Sequence, residues 1–321
     1  MLVGTLVPVM IAAMLALRWF VHVWALARWQ VWISEVDAWK GRWHTWLGGG
    51  IPVAHAATFA PHAYQPAMWL QPGGPTRVAS SVFPRTSEPV AVRVVRVVRG
   101  VFSKSFAALQ SLPATSEVDV VLMASDADAS LCEDTLRSCW QATSGLPRLG
   151  SLTRASDTGW GSNLGLHVDG AHRRPCWLVA VKTVGQDEGG AAILLASENE
   201  SPALALSRPM TGSHTAWPDA LGAFADAMWD TAMDMRLWLT GWHTSATEAA
   251  EKCGSLCNTG EIQAVDLDAT LGPAGPLAGW VALAYACGVA RERRERQVVA
   301  WMNEGDRIEW LVVAAKERKN V

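Results

Sequence analysis

The sequence predicts a layered α/β protein carried behind an apolar N-terminal helix. Three observations lead there. Val118–Ala124 (VDVVLMA) is a continuous apolar run of strand length, of the kind buried on both faces of a sheet. Similar runs alternate with helical stretches from about residue 100 to the C-terminus, the pattern of a layered α/β domain. Ahead of them, Leu2–Leu17 holds sixteen residues without a charge.

The apolar segment comes first in the chain. Its sixteen residues reach about 24 Å as a helix, short of a hydrocarbon core of about 30 Å. Continuing through Trp24 completes a span, provided Arg18 extends to the interface. No Lys or Arg precedes the run, and the small-x-small site Ala54-His55-Ala56 lies far downstream. A retained transmembrane anchor over 1–27 is therefore expected rather than a cleaved signal peptide. Arg18, Arg28, Lys40 and Arg42 all follow the run. That asymmetry predicts a single pass through a membrane with the body in the cytoplasm.

Trp19, Trp24, Trp29, Trp32, Trp39, Trp43 and Trp46 crowd this region, in a chain with 18 Trp and 2 Tyr. Compositional bias explains part of that; the preference of Trp for the membrane–water boundary explains the clustering. Residues 28–47 read as an amphipathic Trp-rich helix lying on or leading from the membrane. Gly48-Gly49-Gly50 and Pro52 end it. The Pro-rich stretch 48–90 reads as an extended, semi-rigid linker with room for one strand.

The body, 91–321, follows. Ala91–Arg99 (AVRVVRVVR) is β-branched, with Arg93, Arg96 and Arg99 at every third position. It is expected as an edge strand, with a phosphate-binding stripe as the sharper alternative. Phe102–Leu112 is expected to be a helix, Val118–Ala124 a strand, and Ala129–Thr143 a helix capped by Asp126 or Asp128. Cys176–Val184 and Ala191–Ala196 are expected strands. Asp219–Asp234 is an expected helix, Met235–Leu239 a strand, Ala246–Leu256 a helix and Ala264–Asp266 a short strand. Pro276–Arg294 is a long helix whose basic last turn suits the helix dipole. Gln297–Asn303 and Ile308–Ala314 close the chain as a hairpin around Gly305-Asp306.

Composition narrows the function. With 321 residues and a formal net charge of −3, the chain lacks the basic excess of a nucleic-acid binder. Of six cysteines, Cys253 and Cys257 have a metal-like spacing, but no second pair completes four ligands. Cys132 and Cys139 share a helix face. Reduced, mostly buried thiols are expected for all six, as in a cytosolic domain. No metal and no cofactor is implied.

Three segments resemble the thiolase-like fold, and in particular a ketoacyl synthase. Gln186–Ala196 (QDEGGAAILLA) is similar to the acidic-Gly segment and apolar strand that end the synthase's first half. Gly241–Leu256 (GWHTSATEAAEKCGSL) is similar to its His-Gly-Thr-x-Thr turn and acidic helix. Val265–Ala286 (VDLDATLGPAGPLAGWVALAYA) is similar to the segment holding Lys, Gly-His and a Gly-Ala-Ala-Gly turn into a long helix. The likeness covers about residues 100–315. It implies a reduced thiolase-like α/β/α domain built from two half-folds, 91–200 and 201–316, the first lacking some elements.

The same resemblance exposes what is missing. A ketosynthase needs a Cys activated at a helix N-terminus and two His that stabilise a thioester oxyanion. The stretch where the nucleophile belongs, Ser156–Leu166 (SDTGWGSNLGL), has no Cys, and Cys176 begins a strand. His243 matches the first histidine as a relic. The second histidine's place reads Asp268-Ala269-Thr270, and the lysine's place is Asp266. Ser162, His167 and Asp169 offer a different chemistry, although Gly159-Trp160-Gly161-Ser162-Asn163 is followed by Leu164 where a nucleophile elbow has Gly.

No catalytic residue is therefore expected, and the resemblance implies a pseudoenzyme. The chain is similar to membrane-anchored, degenerate thiolase-like proteins associated with bacterial type VI secretion and virulence. That likeness implies a non-catalytic adaptor that binds the membrane through its first helix and binds another protein, a secreted effector or a secretion component. Two other readings stand beside it: an acyl- or lipid-binding protein that keeps the substrate tunnel, and an enzyme with rearranged catalytic residues.

Overall fold

The fold is seen in a computed structural model, which describes residues 3–48, 50–59, 88–155, 174–183, 189–197, 204–213, 216–228, 234–241, 246–256, 262–271, 278–293, 295–303 and 307–315. The chain divides into two compact units, Met1–Gly48 and Gly49–Val321.

The first unit is one helix, α1 (Val3–Gly48). The Trp-rich stretch 28–47 is thus a continuation of the same helix and not a separate one. Every side chain from residue 14 to 35 is exposed, including Trp19, Phe20, Trp24, Trp29 and Trp32. Among the described residues no helix is long and apolar enough to cross a membrane. The span expected over 1–27 is not found there; Arg18 interrupts the apolar run within it and Arg28 follows it. The side chains of 1–13, most of the uncharged run, lie outside the described residues.

The second unit is built on one mixed sheet. Its first half contributes β1 (Ile51–Phe59), α2 (Val90–Gln110), β2 (Glu117–Met123), α3 (Asp126–Ala142), β3 (Arg148–Ala155), β4 (Cys176–Lys182) and β5 (Gly189–Leu195). The second contributes β6 (Leu204–Leu206), β7 (Met210–Ser213), α4 (Trp217–Met228), β8 (Met235–Thr240), α5 (Ala246–Leu256), β9 (Ile262–Asp266), α6 (Leu267–Leu271), α7 (Ala278–Glu292), β10 (Arg296–Asn303) and β11 (Arg307–Ala315). The strand order is β3-β2-β4-β5-β1-β6-β11-β10-β8-β9, with β7 beside β11.

That order reads alike from either end. β3, β2 and β4 run parallel, and β5 and then β1 join antiparallel. β9, β8 and β10 run parallel, and β11 and then β6 join antiparallel. β1 and β6 meet antiparallel in the middle. Each half thus repeats five strands in the same chain order; among the described residues only β7 has no counterpart in the first half. The reason the sequence missed this is β1. It lies in the stretch read as a linker with room for one strand, and it pairs on both sides, Val53 with Leu195 and Leu204. The compact unit accordingly begins at Gly49 and not at 91.

The core explains most of the sequence pattern. In β4, Cys176, Leu178 and Ala180 face α7 and the second half, while Trp177, Val179 and Val181 face α2 and α3. A strand buried on both faces reads as a continuous apolar run. α7 is the hub of the inner layer, with Leu283, Tyr285, Ala286, Cys287 and Val289 wholly buried against strands of both halves. On the other face of the first half, Phe102, Trp140 and Trp177 meet with ring centroids about 6 Å apart, at 6.0 to 6.2 Å.

The expected edge strand at 91–99 is a correction. Those residues begin α2, and Val94, Val97, Val98, Val101, Phe102, Ser105 and Leu109 form its buried face. Spacings of three and four residues are helical; the arginines obscured them. Arg96 instead reaches Glu88 at 2.6 Å on the surface, and Arg93 is buried, so no open basic stripe forms. The N-cap of α3 is Ser125, with Asp126 and Asp128 in the first turn. β3, β6 and β7 were not expected; β3 is a half-exposed edge strand and β6 and β7 are three and four residues long.

Candidate functional site

In layered α/β folds ligands gather where parallel strands end at their C-terminal edges. Each half of this sheet has such an edge, and each carries a carboxylate at the centre of a hydrogen-bonded cluster. In the second half it is Asp268. Thr240 Oγ1, at the end of β8, donates to Asp268 Oδ1 at 3.0 Å, and the Gly241 amide donates to Oδ2. Asp266, the last residue of β9, accepts the Ala269 amide at 2.9 Å and so caps α6. The turn after β8 is held from a third direction. Gly241 has φ +74°, and a Cβ there would stand 2.8 Å from the carbonyl oxygen of Met302 on β10. Only glycine fits that backbone without strain.

The first half has a counterpart. Asp128, in the first turn of α3, accepts from Ser125 Oγ at 2.9 Å and from Thr183 Oγ1, just past β4. Both clusters tie the end of one parallel strand to the start of a neighbouring helix. In each, at least one hydroxyl donates to the carboxylate.

Four of the cysteines are poor nucleophiles. Cys132, Cys139, Cys176, Cys253 and Cys287 are thiols, and four of them are buried. Burial pushes Cys287 up to about 12. It does the same to Cys176, helped by the Asp119 carboxylate, and to Cys132, helped by Asp128. Cys139 is raised by burial as well. A thiol held well above its ordinary value is neutral and unreactive near neutral pH. Among the described residues no group of three His, Cys, Asp or Glu could hold a metal ion. Cys257 lies outside them, as do His243, Ser162, His167 and Asp169.

Solved structures share this arrangement of strands and helices. A type II polyketide ketosynthase bound to a hexaketide, in complex with its acyl carrier protein (AntDE:AntF), matches with a TM-score of 0.59 at 10% identity, over 83% of this chain and 99% of that one. The fold is thiolase-like. OleA of Xanthomonas campestris matches with a TM-score of 0.53 at 10% identity, over 83% of this chain and 98% of that one. The tetronic acid condensing enzyme AbyA1 matches at 0.51 and 13% identity, over 83% and 100%. At these identities the likeness concerns the fold alone. No protein-family model matches the chain, and no curated protein does.

Within the thiolase-like fold, the residues that sequence reasoning placed at the second histidine and the lysine are the ones that build the cluster. Asp268 and Asp266 depart from the pattern of the resembled synthase, and the fold brings them to the ends of β8 and β9. Thr240, Gly241, Ser125, Asp128 and Thr183 were not anticipated as site residues. The one available signal was Thr-Gly at the end of an apolar strand, a pairing that marks a strand-to-helix turn.

Proposed function

We propose that this chain is a thiolase-like protein that does not condense acyl thioesters and acts by binding, held at a membrane by its N-terminal helix. Asp268 carries the first part. A condensing site must offer donors to the oxygen that becomes negative in the transition state. In the place where the resemblance sets the second histidine, this chain has a carboxylate that already accepts from Thr240 and Gly241. A carboxylate there repels a developing oxyanion. The raised thiols of Cys132, Cys176 and Cys287 agree with that reading.

The fold by itself favours an enzyme, since the matched structures include a ketosynthase and a tetronic acid condensing enzyme; it is the side chains that depart. The membrane part rests on the uncharged run Leu2–Leu17 and on the apolar residues exposed around α1. Large apolar side chains exposed together mark an interaction surface, here one for lipid. The resemblance suggests the partner class, a protein effector or component of type VI secretion.

The test is chemical. The purified full chain is incubated with acetyl and malonyl thioesters, and intact mass, thiol release and carbon dioxide release are followed. Unchanged mass and background release are expected. An acyl adduct with turnover refutes the proposal. Resistance of the protein in cell membranes to a carbonate wash checks the anchor; release by that wash refutes it.

A further inference from the structure

The C-terminal part of α1 carries a second pattern, independent of the catalytic question. Trp29, Trp32, Val36, Trp39, Trp43 and Trp46 are spaced three, four, three, four and three residues apart. Because α1 is one helix through Gly48, these positions fall on one narrow seam. An alternation of three and four is the seven-residue repeat of a coiled coil, with the six residues at its a and d positions. The opposite side has Gln30, Ser34, Asp37, Gly41 and His44. Where side chains are described, the seam is open: Trp29 and Trp32 are 58% and 54% exposed, with their rings 5.1 Å apart.

We infer that residues 29–46 form a parallel coiled coil with a second copy of this chain. Charge favours a second copy of the same chain, and the uncharged run at the start of each copy favours the parallel direction. With Trp29 at position a, Glu35 takes g and Lys40 takes e of the next heptad. In a parallel coil those two positions of opposite chains face each other, so Glu35 of each copy meets Lys40 of the other. A lipid surface explains the segment less well. A helix lying on a membrane has a wide apolar face and a basic polar face, and here Glu35 and Asp37 nearly balance Arg28, Lys40 and Arg42. A parallel coil also leaves the uncharged runs of both copies at the same end.

Sedimentation equilibrium of the full chain in density-matched nonionic detergent tests this. The expected mass is at least twice the 34.6 kDa of one chain. Trp39→Glu with Trp43→Glu is expected to return it to that of one chain, with the melting of the second unit unchanged. Glu35→Lys alone is expected to weaken association several-fold, and Glu35→Lys with Lys40→Glu to restore it. A single-chain mass for the unaltered protein overturns the inference, as does failure of the charge swap to restore association. So does a third result: Trp39→Glu with Trp43→Glu releasing the protein from phosphatidylethanolamine–phosphatidylglycerol vesicles without lowering its mass, which assigns the seam to lipid.

Discussion

Asp268 accepts two hydrogen bonds from consecutive residues at the end of β8, one from the Thr240 hydroxyl and one from the Gly241 amide. It joins the β9–α6 corner to the turn that leads toward His243. Asp268→Ala leaves both donors without this partner. A loss of about 1–3 kcal/mol is expected, read as a lowered urea midpoint. Asp268→Asn keeps an acceptor oxygen and is expected to lose less. Equal losses in the two variants would show that the hydrogen bonds contribute nothing beyond packing.

Gly241 is expected to be the least replaceable residue of the same turn. Its positive φ and its closeness to the Met302 carbonyl penalise any side chain. Gly241→Ala should destabilise the domain by about 1–3 kcal/mol. Gly145, also at positive φ, has only a Gln110 side-chain atom at 3.4 Å and should tolerate Ala better. Thermal melts of the two variants make the comparison.

Gly100 is expected to set the spacing between α2 and β1. A Cβ at this position would run into the Phe59 ring. Gly100→Ala should cost about 1–3 kcal/mol through overpacking, and adding Phe59→Leu should recover part of it. Urea unfolding of the single and double variants checks the coupling.

The buried thiols predict alkaline instability with a definite sign. Cys176 and Cys287 have folded values near 12 against an ordinary 9.0. Above pH 9 the unfolded chain releases these protons while the folded chain retains them. Stability therefore falls as pH rises from about 9 toward 12, by up to about 1.4 kcal/mol per thiol per pH unit. Urea midpoints measured at pH 8, 9 and 10 should decline, and Cys287→Ala should flatten the decline. In the native protein at pH 8, neither thiol should react with a disulfide reagent.

His55 predicts the opposite limb. Burial, and then the nearby Arg291, hold it below its ordinary value of 6.5, against the hydrogen bond to the Lys104 carbonyl. Below about pH 6.5 the unfolded chain takes up a proton that the folded chain resists, so stability falls as pH drops through that range. His55→Gln should reduce the slope between pH 7 and 5, which thermal melts across that range measure.

Much of the fold was legible because burial writes itself into strand composition. β2, β4, β5, β8, β10 and β11 lie within one to three residues of where their apolar runs placed them. α5 and α7 were equally legible from helical spacing. β1 was not, because IPVAHAATF holds a proline and a histidine and has intermediate burial over most of its length. α2 was misread in its first ten residues because valine and a three-residue arginine spacing suggest a strand until the buried face is known. The sheet then supplied what makes valine acceptable there: a surface for Val94, Val97, Val98 and Val101 to pack against.

For the site, the sequence by itself determined the chemistry available: carboxylates at 266 and 268, and no cysteine between 156 and 166. Those are facts of residue type, and no packing alters them. Tertiary structure alone decided what Asp268 does, because its partners Thr240 and Gly241 lie 28 and 27 positions away and meet it only once β8 and β9 pair. It likewise decided that β1 and β6, two segments with weak local signals, form the seam between the halves. Strand pairing across long sequence separation depends on the partner strand as much as on the strand itself, so a single stretch of sequence holds only half of that information.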